Sequence, residues 1–283
     1  MNLDKEIFVK LFVGNKSRLT RSDGSIEAKS INNVNCLPLT FVPKMPWKNI
    51  SDDDEKKLFS TENDDFNNIS LIKLPNNLKE LFIELKIHEI KNQSSIFEIQ
   101  NSHLYKRVLK KTISYFNKHN LHSSEITPHS LYFGDPNLSN NTYNREDNVY
   151  IGMHLDSFER ALLKDRKSAR NRVCINLGIE SRYLLFYNIS LLSMYNYVSN
   201  DKDVRNNVNM IYKKFALKFP DFPIYRLEVK PLEAYIAPTE YVIHDGSNWN
   251  SNNPDINLVF RGKFKYKKKT ILSFLNFFFN FDN

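Results

Sequence analysis

Glycine, cysteine and long apolar runs are scarce in this sequence. Its 283 residues include only 7 glycines, and neither a GxGxxG nor a GxxxxGK[ST] phosphate loop occurs. The two cysteines, Cys36 and Cys174, have neither metal-binding nor disulfide-framework spacing, which favours a reducing compartment. No run of 18 apolar residues is present, and residues 1–6 carry acids rather than an apolar signal segment. These absences predict a cytoplasmic protein without a transmembrane segment.

Basic residues outnumber acidic ones. The chain has 40 Lys and Arg against 32 Asp and Glu, a formal net charge of +8. Much of the excess lies at 160–172 and 261–269. A diffuse excess of this kind is typical of a solvated surface, so nucleic acid is not the expected partner.

Apolar periodicity divides the chain into a helical part and a strand-rich part. Apolar spacing predicts helices at 76–86 and 102–118, the second capped by Ser102. From Thr127 onward, short strand-like segments with turn signals between them predict a β-sandwich or barrel. The predicted strands are 130–134, 148–154, 172–178, 182–188, 225–229, 233–238, 240–244 and 256–262. Segments 172–178 and 182–188 are predicted to pair across a tight turn.

No composition shift marks a domain boundary, so the sequence predicts one domain over residues 1–283. Its core is predicted at about 127–263, with N-terminal helical and strand support at 1–126. A helical insertion is expected at about 189–218, and an apolar tail follows at 264–283.

The strand predicted at 148–154 ends in His154-Leu155-Asp156. Residues i and i+2 of a strand share a face, so His154 and Asp156 are expected to point at one place. His244 is the only histidine after His154, and it also ends a predicted strand. Two imidazoles and one carboxylate form the facial triad of non-haem Fe(II) oxygenases.

Arg261 lies seventeen positions beyond His244, near the end of an otherwise apolar strand. A buried arginine needs an anionic partner, because an unpaired buried charge is costly. A planar guanidinium binds a carboxylate through two parallel hydrogen bonds.

In this order, the His-x-Asp motif, the distal histidine and the strand arginine resemble the Fe(II)/2-oxoglutarate-dependent oxygenase superfamily over about 127–263. The resemblance implies a mainly β fold with flanking helices (α+β), whose core is a double-stranded β-helix of the jelly-roll, cupin-like type. It implies that His154, Asp156 and His244 bind Fe(II) and that Arg261 binds the distal carboxylate of 2-oxoglutarate. The His244–Arg261 separation is longer than is common in the family.

Further residues are expected around this site. The resemblance implies that a polar residue on the strand after the motif helps to bind the cosubstrate, and Asn176 and Arg172 are the candidates. Tyr150 shares the predicted strand face of His154, and Trp249 follows His244 closely, so both are candidates to line the pocket.

The basic loop at 157–171 directly follows the metal motif and is expected at the mouth of the site. It contains Arg160 and Arg170. Two interpretations remain open: a solvated basic loop, or an anion-binding rim for an acidic or carboxylate-bearing substrate.

The resemblance implies an iron-centred hydroxylase that consumes O2 and 2-oxoglutarate and releases succinate and CO2, with no separate protein acid or base. The predicted substrate is an amino acid, a peptide side chain or a secondary metabolite. A cupin-like metal-dependent isomerase or hydrolase without 2-oxoglutarate, and a non-catalytic binding barrel, are the alternatives. The tail at 264–283 is expected to dock on its own chain, to form a homodimer interface or to contact a membrane surface.

Overall fold

The structure, a computed structural model, describes residues 8–10, 16–59, 68–90, 92–118 and 126–263. Its strands are β1 (Phe8–Lys10), β2 (Leu19–Ser22), β3 (Ser25–Glu27), β4 (Ser30–Ile31), β5 (Val34–Asn35), β6 (Phe41–Pro43), β7 (Lys48–Asn49), β8 (Asn68–Lys73), β9 (Thr127–Gly134), β10 (Tyr143–Asn144), β11 (Val149–Tyr150), β12 (Asn171–Asn176), β13 (Arg182–Ser190), β14 (Ile224–Val229), β15 (Glu233–Ala237), β16 (Val242–Ser247) and β17 (Asp255–Gly262). Its α-helices are α1 (Asp52–Leu58), α2 (Asn76–Glu84), α3 (Gln93–Asn101), α4 (His103–Lys118), α5 (Leu191–Val198), α6 (Lys202–Asn206) and α7 (Val208–Lys218). The prediction of a mainly β protein with flanking helices is confirmed.

Two larger sheets form the centre of the molecule. The first has six strands in the order β1-β8-β15-β12-β17-β9, and the second has five in the order β16-β13-β14-β2-β7. Apolar side chains from both sheets meet in one buried cluster, with Tyr235 and Val259 from the first sheet and Leu184, Phe186 and Tyr225 from the second. The sheets therefore pack face to face, with the core between them.

Helices cover the outer faces of both sheets. Val108 and Phe116 of α4 pack in one buried cluster with Val173 and Phe260 of the six-stranded sheet. Helices α5 and α7 contribute to a second cluster with Leu185, Tyr187 and Ile243 of the five-stranded sheet. Strands buried on both faces read as near-continuous apolar runs, which is the pattern of β12 and β13.

Three predictions of local structure need correction. The predicted strand 148–154 is a strand only at Val149–Tyr150, because the chain turns at Gly152, where φ is +68°. Segments 172–178 and 182–188 do not pair: β12 lies between β15 and β17, and β13 lies between β14 and β16 in the other sheet. His244, which was predicted to end a strand, lies within β16, which continues to Ser247.

Helices α2 and α4 lie where helices were predicted, and α5 to α7 lie within the stretch predicted as an insertion. Ser102 accepts a hydrogen bond from the Tyr105 backbone N–H at 3.1 Å, the predicted cap. Within the described residues, no helix is both long enough and apolar enough to cross a membrane. The tail at 264–283, with its predicted docking or homodimer role, lies outside the described residues.

Candidate metal centre

His154 and His244 are held side by side by their own backbones. Each backbone N–H donates to the carbonyl of the other residue at 2.9 Å, which forms an isolated antiparallel bridge. Their rings lie 4.7 Å apart. Asp156 is fixed nearby through a hydrogen bond from its backbone N–H to the Thr239 carbonyl at 3.0 Å. One ligand atom from each of His154, Asp156 and His244 lies within 4.8 Å of the others.

Both imidazoles present the same nitrogen to the carboxylate. The Nδ1 atom of His154 lies 2.9 Å from the Gly152 carbonyl, and that of His244 lies 3.1 Å from the Val242 carbonyl. A carbonyl oxygen only accepts, so each Nδ1–H donates and each Nε2 keeps its lone pair. The Nε2 atoms lie 3.7 Å and 3.8 Å from Asp156 oxygens. This orientation, with the ring fixed through the other nitrogen, is typical of metal-binding histidines.

Electrostatics favour a charged carboxylate beside a neutral imidazole. Burial opposes ionisation of Asp156, but the positive charge of Arg172 and the neighbouring imidazoles hold its pKa well below the usual range. Burial lowers the pKa of His244 to about 3, so that ring is neutral. Burial also disfavours the charged form of His154, yet hydrogen bonding to Asp156 gives a net rise in its pKa.

The three side chains line a cavity of about 450 Å³ between the two sheets. On its exposed side the cavity is lined by His129, Ser157, Phe158 and Arg172, and further in by Tyr132, Cys174, Arg182, Tyr235 and Asn257. A cavity of this size with a few convergent polar groups is typical of a small-molecule site.

Arg182 is the arginine of the cavity that could not be singled out from the sequence. Its guanidinium donates to the two Asp255 oxygens at 3.0 Å and 3.3 Å and to Cys174 Sγ at 2.8 Å. Burial disfavours its charge, but Asp255 raises its pKa well above the usual value. The available signal was a charged residue on the same strand face as Leu184 and Phe186.

Arg261, in contrast, does not line the cavity. It forms a hydrogen-bonded ion pair with Glu240 and lies 3.8 Å from a Glu159 oxygen, with its guanidinium 4.3 Å from the centre of the Phe158 ring. The anionic partner that its burial requires therefore comes from the chain itself. Arg182 has such a partner too, so the two arginines differ in position: Arg261 is not among the residues that line the cavity. Its predicted role in binding the cosubstrate stays a prediction.

Two other predicted residues also lie away from the metal cavity. Asn176 donates to the carbonyls of Glu180 and Val229 and accepts from the Gly178 N–H, so its amide is fully engaged with backbone. Tyr150 packs edge-on against Tyr143 in a separate apolar cluster. The turn at Gly152 explains this, because it breaks the alternation that would align Tyr150 with His154.

Trp249 lines a second cavity of about 460 Å³ together with Trp47, not the one that contains the histidines. In the basic loop, Arg160 is exposed and Arg170 pairs with Glu159 at 2.6 Å. Arg172 is the one predicted basic residue that the structure brings to the triad, since its terminal nitrogen lies 3.0 Å and 2.8 Å from the two Asp156 oxygens.

Two facing sheets with a two-histidine, one-carboxylate cluster in the cavity between them define a candidate metal site of the facial-triad type. The sequence matches no protein-family model and no curated protein. The chain is similar to solved structures of the Kdo hydroxylase KdoO, a non-haem Fe(II) α-ketoglutarate-dependent dioxygenase. The apo form has a TM-score of 0.40 at 12% identity over 70% of this chain and 79% of that chain. The cobalt(II) complex has a TM-score of 0.39 at 12% identity over 69% and 80%.

Proposed function

We propose that this protein is a non-haem Fe(II)- and 2-oxoglutarate-dependent oxygenase that hydroxylates an unactivated C–H bond of an amino acid, a peptide side chain or a secondary metabolite. The observation that carries the proposal is the convergence of the Nε2 atoms of His154 and His244 on the Asp156 carboxylate at the wall of a cavity. Bound Fe(II), with 2-oxoglutarate and O2, would supply oxidative decarboxylation to succinate and CO2 and the hydroxylation of substrate.

We propose further that the core is a double-stranded β-helix. Support comes from the way successive segments change sheet: β9 and β12 belong to the six-stranded sheet, whereas the His154 segment between them bridges to the five-stranded one. Strands β13 and β14 continue the five-stranded sheet, and β15, β16 and β17 alternate again. This is the order expected when a paired ribbon winds into a jelly roll.

The donor set fits Fe(II). Neutral imidazole nitrogens and one ionised carboxylate suit this ion, and three protein ligands leave positions open for a cosubstrate. The Nε2 atom of His244 is buried and has no hydrogen-bond partner among the described residues, which a bound cation would satisfy. Arg172 would then orient the Asp156 carboxylate through Oδ1.

We assign the distal carboxylate of 2-oxoglutarate to Arg182. Arg172 and Cys174 share one face of β12, and Arg182 donates to Cys174 Sγ, so Arg182 lies one step further into the cavity than the Arg172–Asp156 pair. Two residues of a strand advance roughly 6.6 Å. That step is comparable to the separation of the two carboxylates in a five-carbon diacid. Within the cavity, Tyr132 and Asn257 add neutral polar groups.

The residues of the chain itself would bind and orient the ligands and exclude water from the cavity. The cavity walls remove bulk water, which strengthens the hydrogen bonds of Arg182 to an anion. The carbonyls of Gly152 and Val242 hold the Nδ1 protons of the two histidines, so that in the neutral rings the lone pair lies on Nε2, the nitrogen that faces Asp156.

The test is spectroscopic and needs no knowledge of the substrate. Anaerobic addition of Fe(II) and 2-oxoglutarate is expected to give a weak visible charge-transfer band and, after exposure to O2, succinate. His154→Ala and His244→Ala should each lose the band, whereas His88→Ala, which removes an exposed histidine outside the cavity, should keep it. A wild-type protein with neither band nor metal-dependent succinate would refute the proposal. Metal binding without succinate would favour the cupin-like alternative.

A further inference from the structure

Beside the metal cavity lies a group of linked charged side chains that contains more guanidinium groups than carboxylates, and Arg172 and Asp156 are its members that line the cavity. Seven charged side chains belong to this cluster, which we call the mouth cluster: Arg166, Arg170, Arg172, Arg261, Asp156, Glu159 and Glu240. Four of the seven are arginines, and three are acids. Because several of them are buried, this imbalance has larger consequences than a surface charge would have.

The two glutamates of the mouth cluster are already engaged. Glu159 accepts from Arg170 at 2.6 Å and lies 3.8 Å from Arg261, which in turn pairs with Glu240. Arg166 instead donates to the backbone carbonyls of Asp156 and Glu240. Neither glutamate is thus positioned to neutralise Arg172.

Asp156 is the carboxylate that Arg172 meets. Both Asp156 oxygens lie within 3.0 Å of one terminal nitrogen of Arg172. The Nε atom of Arg172 is buried and has no hydrogen-bond partner among the described residues. The guanidinium therefore contacts Asp156 through one terminal nitrogen only, and the Arg172 side chain also lines the cavity.

A metal ion at the triad would change this balance. The negative charge of Asp156 would then be shared with a divalent cation, and Arg172 would retain only part of its counter-charge. A partly buried guanidinium in that position is stabilised when an incoming anion completes its pairing.

The neighbours of Arg172 report the same positive field. Burial lowers the pKa of His129, and Arg172 and Arg261 lower it further. The His129 ring lies 4.8 Å from the ring of Phe158, which also contacts Arg261. Phe158 is 47% exposed, so an apolar surface lies beside these cations at the opening of the cavity.

We propose that the substrate of this site carries an oxyanion, a carboxylate or a phosphate, which Arg172 binds beside His129 at the mouth of the metal cavity. The inference rests on the proposed function and names the substrate class of the same site. Arg172 is free for this role because Arg182, further into the cavity, is the residue assigned to the cosubstrate. Phe158 would contact the body of the substrate next to its charged group.

The experiment uses the full chain loaded with Mn(II) and saturated with 2-oxoglutarate. Calorimetric titration with phenyl phosphate and with benzoate distinguishes the two sources of the oxyanion, and benzyl alcohol serves as the neutral comparison. We expect one of the anions to bind at least about tenfold more tightly than the alcohol, because a charge-assisted pair forms only with the anion. Affinity should fall when the metal is removed, since Asp156 then engages Arg172 again.

Three variants locate the binding. Arg172→Gln should weaken the binding of the anion about tenfold or more, as expected for loss of a charge-assisted hydrogen bond. His129→Gln should weaken the binding of the anion by about threefold, through loss of one hydrogen-bond donor. This second variant keeps the test independent of how Arg172→Gln folds. Lys164→Gln removes one exposed charge from the same loop outside the cavity and should leave the affinity unchanged.

Separate titrations of Mn(II) and of 2-oxoglutarate keep the two proposals apart. If these ligands do not bind, the proposed function fails. If they bind but neither anion does, the oxyanion inference is overturned and the proposed function stands. Equal anion affinity in wild type and Arg172→Gln would also overturn it, because the anion would then be ligating the metal.

Discussion

Arg182 and Arg261 are both buried arginines with a carboxylate partner, yet they face different surroundings. Arg182 is paired with Asp255 and lines the metal cavity. Arg261 is paired with Glu240 and lies against Phe158, outside the residues that line it. Of the two, only Arg182 should therefore affect ligand binding in the cavity when it is substituted.

We expect Arg182→Gln to weaken the binding of 2-oxoglutarate by about a hundredfold. The substitution removes a charge-assisted pair worth roughly 2–3 kcal/mol in a water-poor cavity. Both substitutions should destabilise the fold by about 3 kcal/mol, since each leaves a buried carboxylate, Asp255 or Glu240, without its partner. Arg261→Gln should leave the affinity for 2-oxoglutarate unchanged. The measurements are 2-oxoglutarate affinity from the charge-transfer band and unfolding by urea.

Asp255→Asn is the control for the first substitution, because it disturbs the same buried pair without removing the guanidinium. It should retain most of the affinity for 2-oxoglutarate. The reverse result would be loss of cosubstrate affinity in Arg261→Gln and not in Arg182→Gln. It would mean that Arg261 binds the distal carboxylate of 2-oxoglutarate, as the sequence motif implied.

The sequence points to some site residues and not to others, because the residues are positioned in different ways. His154 and Asp156 belong to one three-residue motif, and His244 lies on a strand that its local pattern indicates, although neither strand ends where it was predicted to. Arg182 becomes a cavity residue only because β13 belongs to the sheet opposite β12, and this long-range fact has no local signature. Arg261 carries the family pattern, but its engagement by Glu240 depends on a contact across 21 positions.

At the scale of elements, the segment that presents His154 is a turn rather than a strand. Gly152 has φ of +68°, and a Cβ there would lie 2.7 Å from Thr40 Cγ2 and 2.8 Å from the Phe41 carbonyl oxygen. The Gly152 carbonyl also accepts the Nδ1 proton of His154. The backbone conformation at this residue thus orients a ligand of the metal site.

Gly152→Ala should therefore reduce both stability and metal affinity. Positive φ and the two close contacts should cost about 1–3 kcal/mol, and displacement of His154 should weaken Mn(II) binding by roughly tenfold, the low end for loss of a metal-orienting contact. Thermal unfolding and a metal titration measure the two effects.

Gly178→Ala is the matched control. A Cβ there would lie 3.3 Å from Asn176 Oδ1 and 3.4 Å from the Pro254 carbonyl oxygen, a tighter fit than usual but without backbone strain. It should cost less stability than Gly152→Ala and leave Mn(II) affinity unchanged. If Gly152→Ala bound Mn(II) like wild type, the turn would not be what orients His154.

The sequence misleads at this element for a physical reason. Residues 148–154 alternate apolar and other side chains as a strand does, and glycine is compatible with either conformation. Only the close approach of Thr40 and Phe41 selects positive φ at Gly152. Helices α2 and α4 could be predicted because their apolar stripes recur at the helical period and α4 has a local cap.

At the scale of the whole molecule, layer composition could be predicted but sheet membership could not. Alternating and continuous apolar segments after Thr127 indicate a sandwich or barrel. A short connection between two apolar strands favours a hairpin, yet residues 177–181 carry the chain from one sheet to the other. Both strands are buried on two faces, so hydrophobicity alone does not distinguish a pair from a crossing.

Helix α1 is joined to the five-stranded sheet by Asp54, a buried acid. Its carboxylate accepts from Tyr225 Oη at 2.7 Å, from Arg21 at 3.1 Å and 3.2 Å, and from the Ser51 backbone N–H at 2.9 Å. Burial alone would raise its pKa, but these hydrogen bonds lower it to about 2 from 3.8.

This shift predicts how stability depends on pH. A carboxyl group whose pKa is lower in the folded than in the unfolded state stabilises the fold above the unfolded value, and the stabilisation disappears as pH falls through the folded one. The contribution should be about 2 kcal/mol at neutral pH. It should decline from about pH 5 and be nearly gone at pH 2.

The measurement is urea unfolding of wild type and Asp54→Asn across this pH range. Wild type should exceed the variant by about 2 kcal/mol at pH 7, and the difference should shrink as the pH falls toward the folded pKa of Asp54. Asp53→Asn, an exposed position on the same helix, should give no such pH-dependent difference. A gap between wild type and Asp54→Asn that stayed constant from pH 7 to pH 2 would mean that Asp54 contributes through shape and hydrogen bonding, not through its charge. Helix α1 would then remain docked in acid, because protonation of Asp54 would not loosen its contacts with Arg21 and Tyr225.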